Sequence, residues 1–174
     1  MKKLSIFATA AFLTLTAASL ASAASTTVNV SLTYQSTVAI ADTQDLSFKL
    51  AKVSAKSGTY SASDVGFNST WPAGKITPGV VTVTADASTA VAITYPATIA
   101  LTGPAAATGT MGVAGYGSAT SAPVSPTGAY TSGASATTNS SGNYYVALSP
   151  STMVFTGDTV GAWTGSATVG ADYY

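Results

Sequence analysis

The chain has 174 residues, six lysines against six aspartates, and no His, Cys, Arg or Glu. That inventory excludes Ser-His and Cys-His nucleophilic pairs, thiolate and imidazole metal sites and disulfides, and it supplies no basic footprint for nucleic acid. Charged residues make up 7% and hydrophobic ones 47%, with Ala, Ser, Thr, Gly and Val dominant, so strands and turns are favoured over helices.

Lys2 and Lys3 open a basic stretch, an apolar run follows to about residue 20, and Ala21-Ser22-Ala23 is a small-x-small cleavage signal. Residues 1–23 therefore read as a signal peptide, with Ala24 as the mature start. With no cysteine, a lipid anchor is excluded, and no membrane span is expected once the leader is gone. The remaining chain is long enough for one domain with a core. Its charges are Lys49, Lys52, Lys56 and Lys75 against Asp42, Asp45, Asp64, Asp86, Asp158 and Asp172, a net charge of −2.

Residues 24–36 hold the clearest strand pattern. Val28, Val30, Leu32 and Tyr34 alternate with Asn29, Ser31 and Thr33, giving one apolar and one polar face. Such a strand at a chain end either closes its own sandwich or adds to the open sheet edge of another subunit. After the break at Gln35-Ser36, Val38 and Ile40 resume the alternation, and Asp42-Thr43-Gln44-Asp45 reads as a turn. This closest pair of acids is too bare for a Ca²⁺ loop and lacks the cleft geometry of a glycosidase pair. Leu46, Phe48 and Leu50 form the next strand, with Lys49 outward. Lys49, Lys52 and Lys56 read as a solvated edge that discourages pairing.

Residues 57–77 are turn-rich and anchored by Tyr60, Phe67 and Trp71, and Pro72 keeps that stretch out of a central strand. Residues 79–85 and 91–95 read as a β-hairpin turning at 86–89, with Val81, Val83, Val91, Ile93 and Tyr95 inward. Ile99 and Leu101 make a short strand stub. From 104 to 142 the composition is low-complexity, anchored by Met111, Val113, Tyr116, Val124 and Tyr130. It reads as a surface excursion or a pair of weak strands; were it a recognition tip, Tyr116 and Tyr130 would be its contact residues. A strand over 144–148 should stop before Pro150, with another at Met153 and Phe155. The chain closes on a strand carrying Trp163, Ala167, Val169, Ala171 and Tyr173. About seven strands with spaced turns predict an all-β sandwich spanning 37–174.

The order of these elements resembles a known family. An alternating N-terminal strand (S-T-T-V-N-V-S-L-T-Y), a second strand (S-T-V-A-I), Asp45-Leu46-Ser47-Phe48, and a C-terminal Gly161-Ala162-Trp163-Thr164-Gly165 leading to Tyr173-Tyr174 are similar to bacterial pilins. The nearest groups are the spore-coat-U-like pilins of archaic chaperone–usher systems and the cysteine-free domain of unknown function 4402. Lys49 departs from the glycine that many of them carry, and Ser36 or Thr37 stands where the spore-coat-U group has a disulfide. The resemblance implies an incomplete immunoglobulin-like β-sandwich that lacks one strand, with each subunit's N-terminal strand filling a neighbour's groove. Val28, Val30, Leu32 and Tyr34 would be the inserted side chains, and Trp163, Ala167, Val169 and Tyr173 would lie on the C-terminal strand beside the groove. It also implies a homopolymer at the cell surface, reached through the periplasm with a chaperone and an outer-membrane usher, with no cofactor and no enzymatic activity. Two other readings stand beside it. One is a secreted sandwich that completes itself; the other is a carbohydrate- or surface-binding module using Trp71, Tyr116, Tyr130 or Tyr144 as stacking platforms.

Overall fold

Alternation of β-branched and small residues resolves into twelve strands among the described residues. In the computed structural model these residues are 35–48, 71, 75–155 and 161–174, together with the backbone of 59–61. The leader and the alternating segment 24–34 lie outside them. In chain order the strands are β1 (Ala39–Gln44), β2 (Ser47–Phe48), β3 (Thr59–Ser61), β4 (Ile76–Thr77), β5 (Gly79–Thr84), β6 (Ala90–Thr94), β7 (Thr98–Thr102), β8 (Thr108–Ser118), β9 (Ala129–Tyr130), β10 (Ser135–Thr137), β11 (Asn143–Phe155) and β12 (Gly170–Tyr173).

All pairings are antiparallel. The larger sheet has the order β1-β5-β11-β8-β7, with β3 beside the far end of β11 and β9 beside the far end of β8. The second sheet has the order β10-β6-β12, and β2-β4 form a small third ribbon. The two main sheets face each other as a β-sandwich. Val81 and Val83 of β5 and Val146 and Leu148 of β11 meet Val91 and Ile93 of β6 and Ala136 of β10. Val83, Val91, Ile93 and Val146 are fully buried, and each such side chain contributes about 1.5–3 kcal/mol. A second cluster (Ile76, Ile99, Leu101, Met111 and Met153) contains no residue of the second sheet and is covered by Leu46, Phe48, Trp71, Phe155 and Trp163.

Several elements differ from the sequence reading, each for a physical reason. Residues 79–85 and 91–95 are not a hairpin, because β5 and β6 belong to different sheets. Their connection arches across the sandwich and is held by Thr138, a buried residue. Its Oγ1 donates to the Asp86 carbonyl at 2.6 Å and accepts the Thr89 N–H at 3.0 Å. Val81, Val83, Val91 and Ile93 do point inward, since period 2 reports the buried face but not the lateral partner. The 42–45 turn is instead the end of β1, kinked by a register shift between Asp42 and Gln44. Thr43 Oγ1 and Gln44 Nε2 secure it by donating to the Val80 and Pro78 carbonyls.

The low-complexity stretch supplies β8, an eleven-residue strand inside the large sheet. Tyr95 lies over Gly115 and Tyr144 over Gly117, where any Cβ would strike the phenol. Glycine here makes a bed for rings rather than a flexible link. β11 runs straight through Pro150, its pairing shifting register against β8 between Pro150 and Met153. A bulge tolerates a residue without an N–H. β12 is short, beginning only at Gly170.

Candidate functional site

β1 is an edge strand, paired with β5 on one side and with nothing on the other among the described residues. Its register sets Ile40 opposite Val83 and Asp42 opposite Val81. Directly opposed residues share a face of a sheet, and Val81 and Val83 face the core. Ile40 and Asp42 therefore point inward as well, yet Ile40 is 41% exposed and Asp42 is exposed. An inward isoleucine left this open means that the facing layer stops short of it.

The facing layer here is the C-terminal segment. Trp163 sits on Phe155, with ring centroids 4.8 Å apart, and over Gly103, where a Cβ would come within 2.6 Å of the indole. Thr164 exchanges backbone hydrogen bonds with Thr102 at 2.8 and 2.9 Å. Gly165 lies against the Ala100 carbonyl and the Leu101 side chain. The chain then crosses toward β5, where Val169 joins the main core and β12 pairs with β6. Residues 165–168 make no backbone hydrogen bond among the described residues.

Between these two banks lies a groove of about 290 Å³. Ile40, Val81 and Leu148 line one side, Ala167 and Val169 stand on the other, and Asp42, Gln44 and Asp45 add polar groups to the same lining. The groove is thus mixed, apolar side chains from both banks with the Asp42 carboxylate among them, and among the described residues both flanks carry backbone groups without strand partners.

At the far end of β1 the banks are tied together. The Asp86 carboxylate accepts the Ser36 N–H at 3.2 Å and the Ser36 hydroxyl at 2.6 Å. The Tyr173 hydroxyl accepts the Asp86 N–H at 3.3 Å and lies 3.3 Å from Ser36 Oγ. The Ser36 hydroxyl and then the Ser36 N–H hold the Asp86 pKa below its ordinary 3.8, with Tyr173 a lesser contribution.

Of the residues expected at a groove, Ala167 and Val169 line this one. Trp163 lies apart from it on the second core cluster, and Tyr173 is at the tied end; Val28, Val30, Leu32 and Tyr34 lie outside the described residues. The candidate stacking aromatics are placed differently from a surface platform. Tyr130 is 7% exposed, and its hydroxyl accepts the Ile93 N–H at 2.9 Å while donating to the Ala134 carbonyl. Tyr144 packs on Tyr130 at 6.0 Å. Trp71 meets Tyr116 edge-on at 5.7 Å, and its buried indole N–H has no partner among the described residues. Burial raises the pKa of Tyr95, Tyr130 and Tyr144. Sequence reasoning missed Ser36 and Asp86, whose meeting depends on the β5–β6 arch. Leu148 was legible as a strand residue but not as a groove wall.

No protein-family model, curated protein or solved structure matches this chain.

Proposed function

We propose that this protein is a structural subunit that polymerises into a bacterial surface fibre by lending its alternating segment, residues 24–34, to the groove of a second copy. The observation that carries the reading is the groove itself: apolar side chains from β1, β5, β11 and the C-terminal segment line it, and among the described residues neither the outer edge of β1 nor residues 165–168 have a backbone partner. Unpaired edge groups invite an added strand, which satisfies them and buries alternate side chains. β1 from Ala39 to Gln44 is about 17 Å at ~3.3 Å per residue, close to the ~20 Å that Val28 to Tyr34 would span when extended, so the segment is long enough to run the length of that bank. Burying three or four of Val28, Val30, Leu32 and Tyr34 contributes roughly 5–12 kcal/mol before ordering costs. Assembly of this kind uses copies of the same chain, a periplasmic chaperone and an outer-membrane usher, and needs no cofactor and no catalysis. The sandwich is then incomplete and immunoglobulin-like until the strand arrives.

The second reading is a secreted sandwich completed by its own residues 24–34, which would gain the same energy. An SDS gel of sheared surface material, run with and without boiling, separates the two. A ladder that collapses to one band on heating, and that is lost with Val30→Asp, is the expected result, because strand-exchanged polymers are kinetically locked. One band in both lanes means self-completion.

A further inference from the structure

The Ser36–Asp86–Tyr173 contact lies beyond the groove's lining, past Ile40 on one bank and Val169 on the other, and Tyr173 also packs against the main core cluster. It joins three elements: the approach to β1, the β5–β6 arch and the last residue of β12. β1 is one edge of the large sheet and β12 one edge of the small one, so this contact is a bridge between the two banks. Its base is firm. Besides the Thr138 bonds to the arch, the Ala85 N–H donates to the Gly142 carbonyl at 2.9 Å. Gly142 has φ +79 and lies so close to the Ala85 carbonyl that no side chain fits. Asp86 is thus presented from a braced turn, while Ser36 and Tyr173 come from near the two ends of the described domain.

From this geometry we propose that Ser36, Asp86 and Tyr173 form a clamp that ties the approach to β1 to the end of β12 and so holds the two banks of the groove at a fixed spacing. The inference rests on the strand-insertion reading for its purpose, but not for its existence. A groove whose banks are already spaced loses less freedom when a strand enters, and this preorganisation strengthens insertion without adding a contact to the strand. The clamp also commits the Ser36 N–H to Asp86. Ser36, Asp86 and Tyr173 act here as positioning residues.

Two measurements on the full chain test this. The first is amide hydrogen exchange of the wild type, Asp86→Ala, Ser36→Ala and Ser36→Thr. The alanine variants should exchange several-fold faster in β1 and β12 together, with β8 and β11 unchanged. Ser36→Thr, which keeps the hydroxyl, should restore wild-type exchange. Unchanged exchange in both banks, or faster exchange throughout the molecule, overturns the clamp. The second is the temperature at which the SDS-resistant ladder collapses, which should fall in both alanine variants and recover in Ser36→Thr. Equal collapse temperatures in all four chains also overturn it. If the wild type forms no ladder, the strand-insertion reading fails by itself, and hydrogen exchange still decides whether the clamp exists.

Discussion

Tyr130 illustrates how much one residue does in a chain so poor in large side chains. Its ring fills the space between the sheets, where it packs with Tyr95 and Tyr144. Its hydroxyl satisfies the buried Ile93 N–H and the Ala134 carbonyl. Tyr130→Phe keeps the ring but leaves that N–H unpaired, so it should lower unfolding free energy by about 1–3 kcal/mol, read from the urea midpoint at unchanged slope. The same burial sets the alkaline limit of the fold. Tyr95, Tyr130 and Tyr144 have folded pKa values raised above the ordinary 10.0. As pH climbs, the unfolded chain ionises first, so their stabilisation is complete below about pH 10 and lost as pH rises through the folded values. Asp86 acts at the opposite end. Its folded pKa is lowered from 3.8, so its contribution is present above that value and lost as pH falls through the lowered one. The urea midpoint should therefore be flat from about pH 5 to 9 and decline above about 10, alongside phenolate absorbance. A decline beginning near neutrality would contradict this account, since the chain has no histidine.

At the scale of elements, β8 and β11 carry the large sheet, and neither was fully legible. The stretch T-G-T-M-G-V-A-G-Y-G-S has too little apolar volume to look like a central strand, because part of its function is to have no side chain. Gly115→Ala tests that: the new Cβ falls within 3 Å of the Tyr95 ring, so overpacking should cost about 1–3 kcal/mol, although alanine is ordinarily the less entropically costly residue to order. A midpoint equal to wild type would show that the ring moves aside freely. Legibility followed a single rule. Where burial faces one side and side chains are branched, as in β5 and β6, period 2 revealed which residues face the core. It was silent on partners, so the arch between β5 and β6 passed for a hairpin. It was silent too where backbone geometry overrides propensity, as at Pro150 in its bulge. The groove was legible only by halves. Ala167 and Val169 belong to a visible C-terminal alternation, but the exposure of Ile40 depends on where the facing layer ends among the described residues, which no local pattern encodes.

For the whole molecule, the strand-insertion proposal puts its donor and acceptor features on different parts of one chain, so that they can be disabled separately. Ala167 is exposed on the groove bank, so Ala167→Trp should fill the groove and leave the core intact. Val30→Asp should spoil the inserted strand instead, because a buried carboxylate without a partner is strongly disfavoured. Each variant alone should give only monomers on an unboiled gel. Mixed, they should form a one-to-one complex that grows no further: the sound strand of Ala167→Trp enters the open groove of Val30→Asp, and both remaining features are spent. Heating should return two monomers. A self-completing sandwich differs in the wild type, whose strand and groove are then spent within one molecule, so unboiled wild-type protein would run as a monomer and not as a ladder. The wild-type ladder read together with the capped one-to-one mixture thus separates exchange between copies from closure within one, a distinction that the alternation of residues 24–34 cannot make because the same side chains are buried either way.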